Sequence, residues 1–108
     1  MATGFGDMQS LLKQAQDMQR RMQETMRSLG ERILEGTAGG GVVKVFVNGN
    51  LELQAIKIQK AAVDPDDVEG LEDLVTVAVR QAMAAAKELK DREMAKVTGG
   101  MNLPGLGF

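Results

Sequence analysis

The sequence predicts an α+β protomer whose elements run α-β-β-β-α, with a three-stranded antiparallel sheet and two long helices. Three observations carry that prediction. Gly39 to Ile58, GGGVVKVFVNGNLELQAIKI, reads as a β-hairpin. Before it, from Met8 to Leu29, apolar residues recur at three- and four-residue steps. After it, DPDDVEGLEDLV has the form of a capped helix start and opens a long amphipathic stretch.

Met8, Leu11, Leu12, Ala15, Met18, Met22, Met26 and Leu29 fall on one face of the first helix, with mostly polar and charged residues around them. Residues 1–7 are expected to be a flexible start, and Gly30 a helix stop. ERILEGTA, residues 31–38, is the weakest strand candidate. Val42 to Val47 is a strand with Val43, Val45 and Val47 on one face and Lys44 and Phe46 on the other. Asn48-Gly49 is a hairpin turn, since both residues tolerate positive φ. Leu51 to Ile58 returns as the third strand. Its spacing from Leu53 to Ile56 breaks alternation, which calls for a bulge or for two partly buried faces. Asp64 is the expected N-cap of the second helix, with Pro65 in its first position, and the helix runs to about Val97. Leu71, Leu74, Val75, Ala78, Ala82, Ala85 and Leu89 mark its buried face, and Val79, Met83 and Ala86 widen it. Gly99-Gly100 ends it, and residues 99–108 are expected to be flexible.

With 108 residues the chain forms one domain, residues 1–108. No stretch approaches a membrane span and no secretory segment opens it, so a cytoplasmic protein with no membrane partner is expected. It has no cysteine and no histidine, the commonest thiolate and imidazole ligands and the commonest general base. No catalytic residue, metal, cofactor or small-molecule substrate is therefore expected, and an enzyme is disfavoured. GTAGGGVVK, residues 36–44, lacks the Gly-Lys-Ser/Thr ending of a phosphate-binding loop and leads into a strand.

Geometry then argues for a homodimer. A six-residue strand spans roughly 20 Å. A helix of about 22 residues spans roughly 33 Å, and one of about 33 residues roughly 50 Å. The helices overshoot the sheet as antiparallel arms. Val43, Val45 and Val47 on one sheet face, and Phe46 and Leu53 on the other, make both faces apolar. Two helices cover only one, and an open apolar face marks an interface. Val43, Val45, Phe46, Val47, Leu53 and Ile56 are the candidate dimer residues. The competing expectation is a monomer whose tail, Leu103 to Phe108, folds over the second face.

The net charge is −2, so nucleic-acid binding would depend on where the charges lie. Lys13, Arg20 and Arg27 recur every seven residues and form one stripe opposite the Met/Leu face, with Arg21 beside it. In the second helix, acidic residues from Asp64 to Asp73 crowd the end nearest the sheet. Lys87, Lys90, Arg92 and Lys96 lie farther out. These eight basic residues are the candidate contacts to duplex DNA phosphates. The competing reading is a solvated helix face.

LLKQAQDMQRRMQ, GGGVVKVFVNGN with IKI, DPDDVEGLEDLV and the tail KVTGGMNLPGL occur here in that order and span nearly the whole chain. The ordered set resembles the YbaB/EbfC family of small bacterial nucleoid-associated proteins. That resemblance implies an α-β-β-β-α protomer, a tweezer-like homodimer, DNA binding in the nucleoid with a part in nucleoid organisation and gene regulation, and no enzymatic activity. The alternative is a protein-interaction adaptor or chaperone-like helper acting through the Met-rich helices.

Overall fold

The structure, a computed structural model, describes residues 3–99, with side chains from Asp7 onward. The tail, expected to be flexible and in the competing monomer reading to fold over the sheet, lies outside the described residues from residue 100 onward. The elements run α1 (Thr3–Glu31), β1 (Ile33–Ala38), β2 (Val43–Asn48), β3 (Leu53–Ile58) and α2 (Val68–Val97). Short 3-10 turns at Gly39–Gly41 and Lys60–Ala62 join β1 to β2 and β3 to α2. Helix α1 starts before Met8, where the apolar pattern begins. Gly4 and Gly6 have low helix propensity and obscure that first turn in the sequence.

The sheet is antiparallel with order β1-β2-β3. Val43, Val45 and Val47 pair with Ala38, Gly36 and Leu34 on one side and with Ile58, Ile56 and Leu53 on the other. Directly opposed residues share a face, so all nine point the same way. A register shift between Phe46 and Val47 leaves Gln54 unpaired, which is the bulge that the spacing called for.

The hairpin turn differs from its sequence reading. The left-handed residue is Leu51, at φ 63°, while Asn48 completes β2. The buried Asn48 side chain organises the loop: its Oδ1 accepts from the backbone N–H of Asn50 (2.9 Å) and of Glu52 (3.1 Å). Gly49 is needed for close approach rather than for positive φ. A Cβ there would lie 2.7 Å from the Leu29 carbonyl oxygen. The Gly49 N–H donates to that oxygen at 2.8 Å, and Asn50 Nδ2 donates to the Met26 carbonyl at 2.7 Å. The turn thus binds two carbonyls near the end of α1, and α1 runs through Gly30 to Glu31.

The start of α2 is likewise corrected. Asp67 is the N-cap and its Oδ1 accepts from Gly70 N at 3.1 Å. Asp64 instead holds a turn, its Oδ1 accepting from Asp66 N at 2.9 Å. A Ser/Asp-type cap can be read at either position from sequence, and the intervening Pro65 favoured the earlier one.

Helix α2 lies across β1 and β2. Ala78, Ala82 and Ala86, all fully buried, meet Val43, Val45 and Val47 in the core. Ala85, expected at the centre of the stripe, is half-buried, while Ala86, expected at its margin, is fully buried. The helix backbone comes so near β1 that a Cβ on Gly36 would overlap the Ala78 carbonyl oxygen and lie 2.6 Å from Ala82 N. Gln81 also reaches β1, its Oε1 accepting from Thr37 N at 2.6 Å on the strand's free edge. Replacing Gly36→Ala should push helix and strand apart and destabilise the fold by about 2 kcal/mol. Urea unfolding measures this, and an unchanged midpoint would show that the two backbones do not touch.

Candidate nucleic-acid interface

Helix α1 leaves the sheet as an arm. Arg32, just past its C-terminal end, pairs with Glu93 of α2 at 3.3 Å. From Glu93 only about 6 Å of α2 remains before Val97, whereas α1 is about 43 Å long. Helix α2 therefore lines the sheet-proximal part of α1, where Leu29 and Val97 are buried. Every residue from Asp7 to Gln16 is exposed, including Met8, Leu11 and Leu12. Sequence reasoning gave both helices a share in the tip, but among the described residues the outer arm is α1 alone. The principal extents, 79 × 25 × 16 Å, reflect this reach.

The α1 candidates form one surface. Lys13, Arg20 and Arg27 are exposed on the side opposite the Met/Leu stripe, and Arg21 is exposed beside them. Arg20 is held by Asp17 at 3.2 Å, an exposed pair that leaves its charge available. Lys13, Arg21 and Arg27 have no ion-pair partner among the described residues. The α2 candidates are not one surface. At about 100° per residue, Lys87 and Lys90 fall on one flank of the helix and Arg92 and Lys96 on the other. Lys87 is paired with Asp91 at 2.9 Å, and Lys96 with Glu93 at 3.0 Å. Lys90 is half-buried, and Arg92 is exposed.

Glu93 joins the two helices electrostatically. A hydrogen bond from Lys96, together with the charges of Lys96, Arg32 and Arg92, holds its carboxyl below the usual carboxylate value against an opposing effect of burial.

The candidate dimer residues divide in two. Val43, Val45 and Val47 are fully buried under α2 within one protomer, so they cannot meet a second copy. Leu53 and Ile56 share their face, and so does Ile58, which sequence reasoning left out. Helix α2 packs on β1 and β2, and these three side chains stay 51, 42 and 41% exposed beside it. The bulge places Leu53 here, opposite to the face assigned by simple alternation. Counting the hairpin register back from Val43 would have found Ile58. Phe46 alone among the candidates faces the outer side of the sheet, where it is half-buried. Among the described residues, no group of three or more His, Cys, Asp or Glu is placed to hold a metal ion.

A small sheet roofed by one long helix, with a second helix projecting as a basic-striped arm, defines a class of two-helix, three-strand proteins. An uncharacterized protein from Helicobacter pylori has the same fold, with a TM-score of 0.74 over 88% of this chain and 97% of that one at 22% identity. Residues 4–101 match the YbaB/EbfC DNA-binding family, and the chain belongs to it. A nucleoid-associated protein of Moorella thermoacetica is 52% identical over 102 residues, covering 94% of this chain and 98% of the relative. One of Alkaliphilus metalliredigens is 48% identical over 103 residues, covering 95% and 90%.

The Glu93 arrangement has a pH signature. A carboxyl whose folded pKa is depressed contributes stability that is complete above the unfolded value, near 4.5, and is lost as pH falls through the folded value. Glu93→Gln should be less stable than the parent at neutral pH, with the gap closing below pH 4.5. Thermal unfolding across the acid range checks this, and a gap independent of pH would contradict it.

Proposed function

We propose that the protein binds duplex DNA as a homodimer, through phosphate contacts from the basic faces of its projecting arms, and alters the conformation of the DNA within the nucleoid. Membership of a DNA-binding family supports DNA as the partner. The observation that carries the mode of binding is the α1 stripe of Lys13, Arg20 and Arg27, all three exposed among the described residues. Two such arms, related by a twofold axis, would reach phosphates at separated points of a duplex. Lys87, Lys90, Arg92 and Lys96 would contribute nearer the arm's base. The reading is of a binding protein without catalysis, working in the cytoplasm.

The dimer rests on the open strip of Leu53, Ile56 and Ile58. It lies on the helix side of β3, the edge strand that α2 leaves uncovered. A second copy presenting the same strip would bury both, as a twofold interface requires. The exposed Met8, Leu11 and Leu12 favour a second reading, in which the arm's apolar stripe docks on another protein. A stoichiometric protein partner that survives nuclease treatment would distinguish it.

Two experiments test the proposal. Duplex affinity, followed by fluorescence anisotropy, should fall steeply between about 50 and 200 mM salt. The pair Arg20→Glu and Lys90→Glu should abolish that binding while the dimer persists. Binding that ignores salt, or survives both reversals, contradicts the arm mode. Ile56→Asp should convert the dimer to a monomer in analytical ultracentrifugation. A parent chain that sediments as a folded monomer at micromolar concentration overturns the dimer itself.

A further inference from the structure

The outer face of the sheet, away from α2, carries an unexplained charge arrangement. Lys44 of β2 and Lys57 of β3 are directly opposed in the register. Their β carbons are therefore about 5 Å apart on the same face, an arrangement that is unfavourable for like charges. Both side chains are exposed. Lysine on an edge strand is a common guard against unwanted strand pairing, which would account for Lys57. It does not account for Lys44, because β2 is the central strand. Within the three strands Glu35 is the one carboxylate on that face, and it stands 3.9 Å from Lys44 Nζ. Lys57 has no ion-pair partner among the described residues. A shallow groove at this end of β2 and β3 passes both lysines and is lined also by Gly41, Val42 and Gln59 and by the seam residues Ile56 and Ile58.

We infer that Lys44 and Lys57 form a second phosphate-binding surface, on the outer sheet face, which contacts the DNA backbone between the arms. An anionic oxygen placed between two opposed ammonium groups would relieve their repulsion and gain two charge-assisted hydrogen bonds. The carboxylates of the first turns of α2 belong to the layer behind the sheet, so the outer face meets a phosphate with little acidic competition. The seam proposed above uses the helix-side residues of β3, whereas Lys44 and Lys57 belong to the other face of the sheet. It would also set the Lys57 residues of two copies near the twofold axis. The inference rests on DNA being the partner, and adds a central contact to the two arms.

Lys57→Gln and the double variant Lys44→Gln with Lys57→Gln test it in the full chain, by duplex titration across a salt series. Arg80→Gln, on an exposed part of α2, is the charge-matched control. Each phosphate contact removed should lower the slope of log affinity against log salt by about 0.9. The double variant should therefore lose about two units of slope per protomer engaged and at least ~10-fold in affinity at low salt. Its urea midpoint should hold or rise, because the lysine repulsion is gone. DNA should also protect Lys44 and Lys57 from acetylation. If the double variant keeps the parent's slope while the arm reversals abolish binding, the sheet contact is wrong and the arm mode stands. If Arg80→Gln matches Lys57→Gln, only net charge is being read and the site is refuted. If the double variant loses the dimer instead, the lysines face a second copy. If the parent binds no duplex at low salt, both readings fall.

Discussion

The contact on which the rest depends is the crossing of α2 over β1 at Gly36. Backbone meets backbone there, because the strand offers no side chain and the helix offers Ala78 and Ala82. So close a seat fixes the helix over β1 and β2, with Val43, Val45 and Val47 as the floor of a thin core. One helix cannot also roof a third strand. Leu53, Ile56 and Ile58 are left open by the same contact that makes the core tight. The protomer's tight core and its open apolar strip thus have one cause.

The second junction is between the hairpin and α1. Leu29 is buried, and its carbonyl is held by the Gly49 N–H, while Asn50 takes the Met26 carbonyl. Arg32 and Glu93 tie the same corner to α2. These bonds fix the direction in which α1 leaves the sheet. An arm of about 43 Å pivoting on one flexible residue would spread its charges over a wide cone. An arm anchored by three backbone carbonyl and ion-pair contacts holds its basic stripe in a defined direction. Binding to a rigid partner would gain from that, because less orientational freedom is lost on association.

Element type and order were legible because they rest on periodicity, which is local. The three-and-four spacing of α1, the alternation of Val43, Val45 and Val47 and the break after Leu53 all correspond to features of the structure. What was not legible depends on contacts between distant segments. Asn48-Gly49 has the composition of a two-residue hairpin turn, yet its glycine answers to Leu29, which no local pattern reports. Asp64 and Asp67 both look like caps, and the choice depends on where α2 must begin in order to cross Gly36. Val43, Val45 and Val47 were assigned to a dimer seam because apolar residues announce burial without naming what buries them. The charged candidates show the same limit. Their heptad spacing placed Lys13, Arg20 and Arg27 on one stripe, but spacing could not show that Lys87 and Lys90 are turned away from Arg92 and Lys96.

Charge in this molecule is unevenly distributed, and a net charge of −2 conceals it. The carboxylates from Asp64 to Asp73 sit where α2 begins, and Asp67 and Glu69 there suit the positive end of the helix dipole. Basic side chains stand on the outer sheet face and on the arm, where they alternate with Asp7, Asp17, Glu24 and Glu31. With a screening length of about 8 Å at physiological ionic strength, a phosphate on the arm is influenced by the arm's own stripe and hardly by the acidic end. Local field rather than overall charge therefore governs the encounter with a polyanion. A protein of negative net charge can in this way still present a basic stripe to DNA.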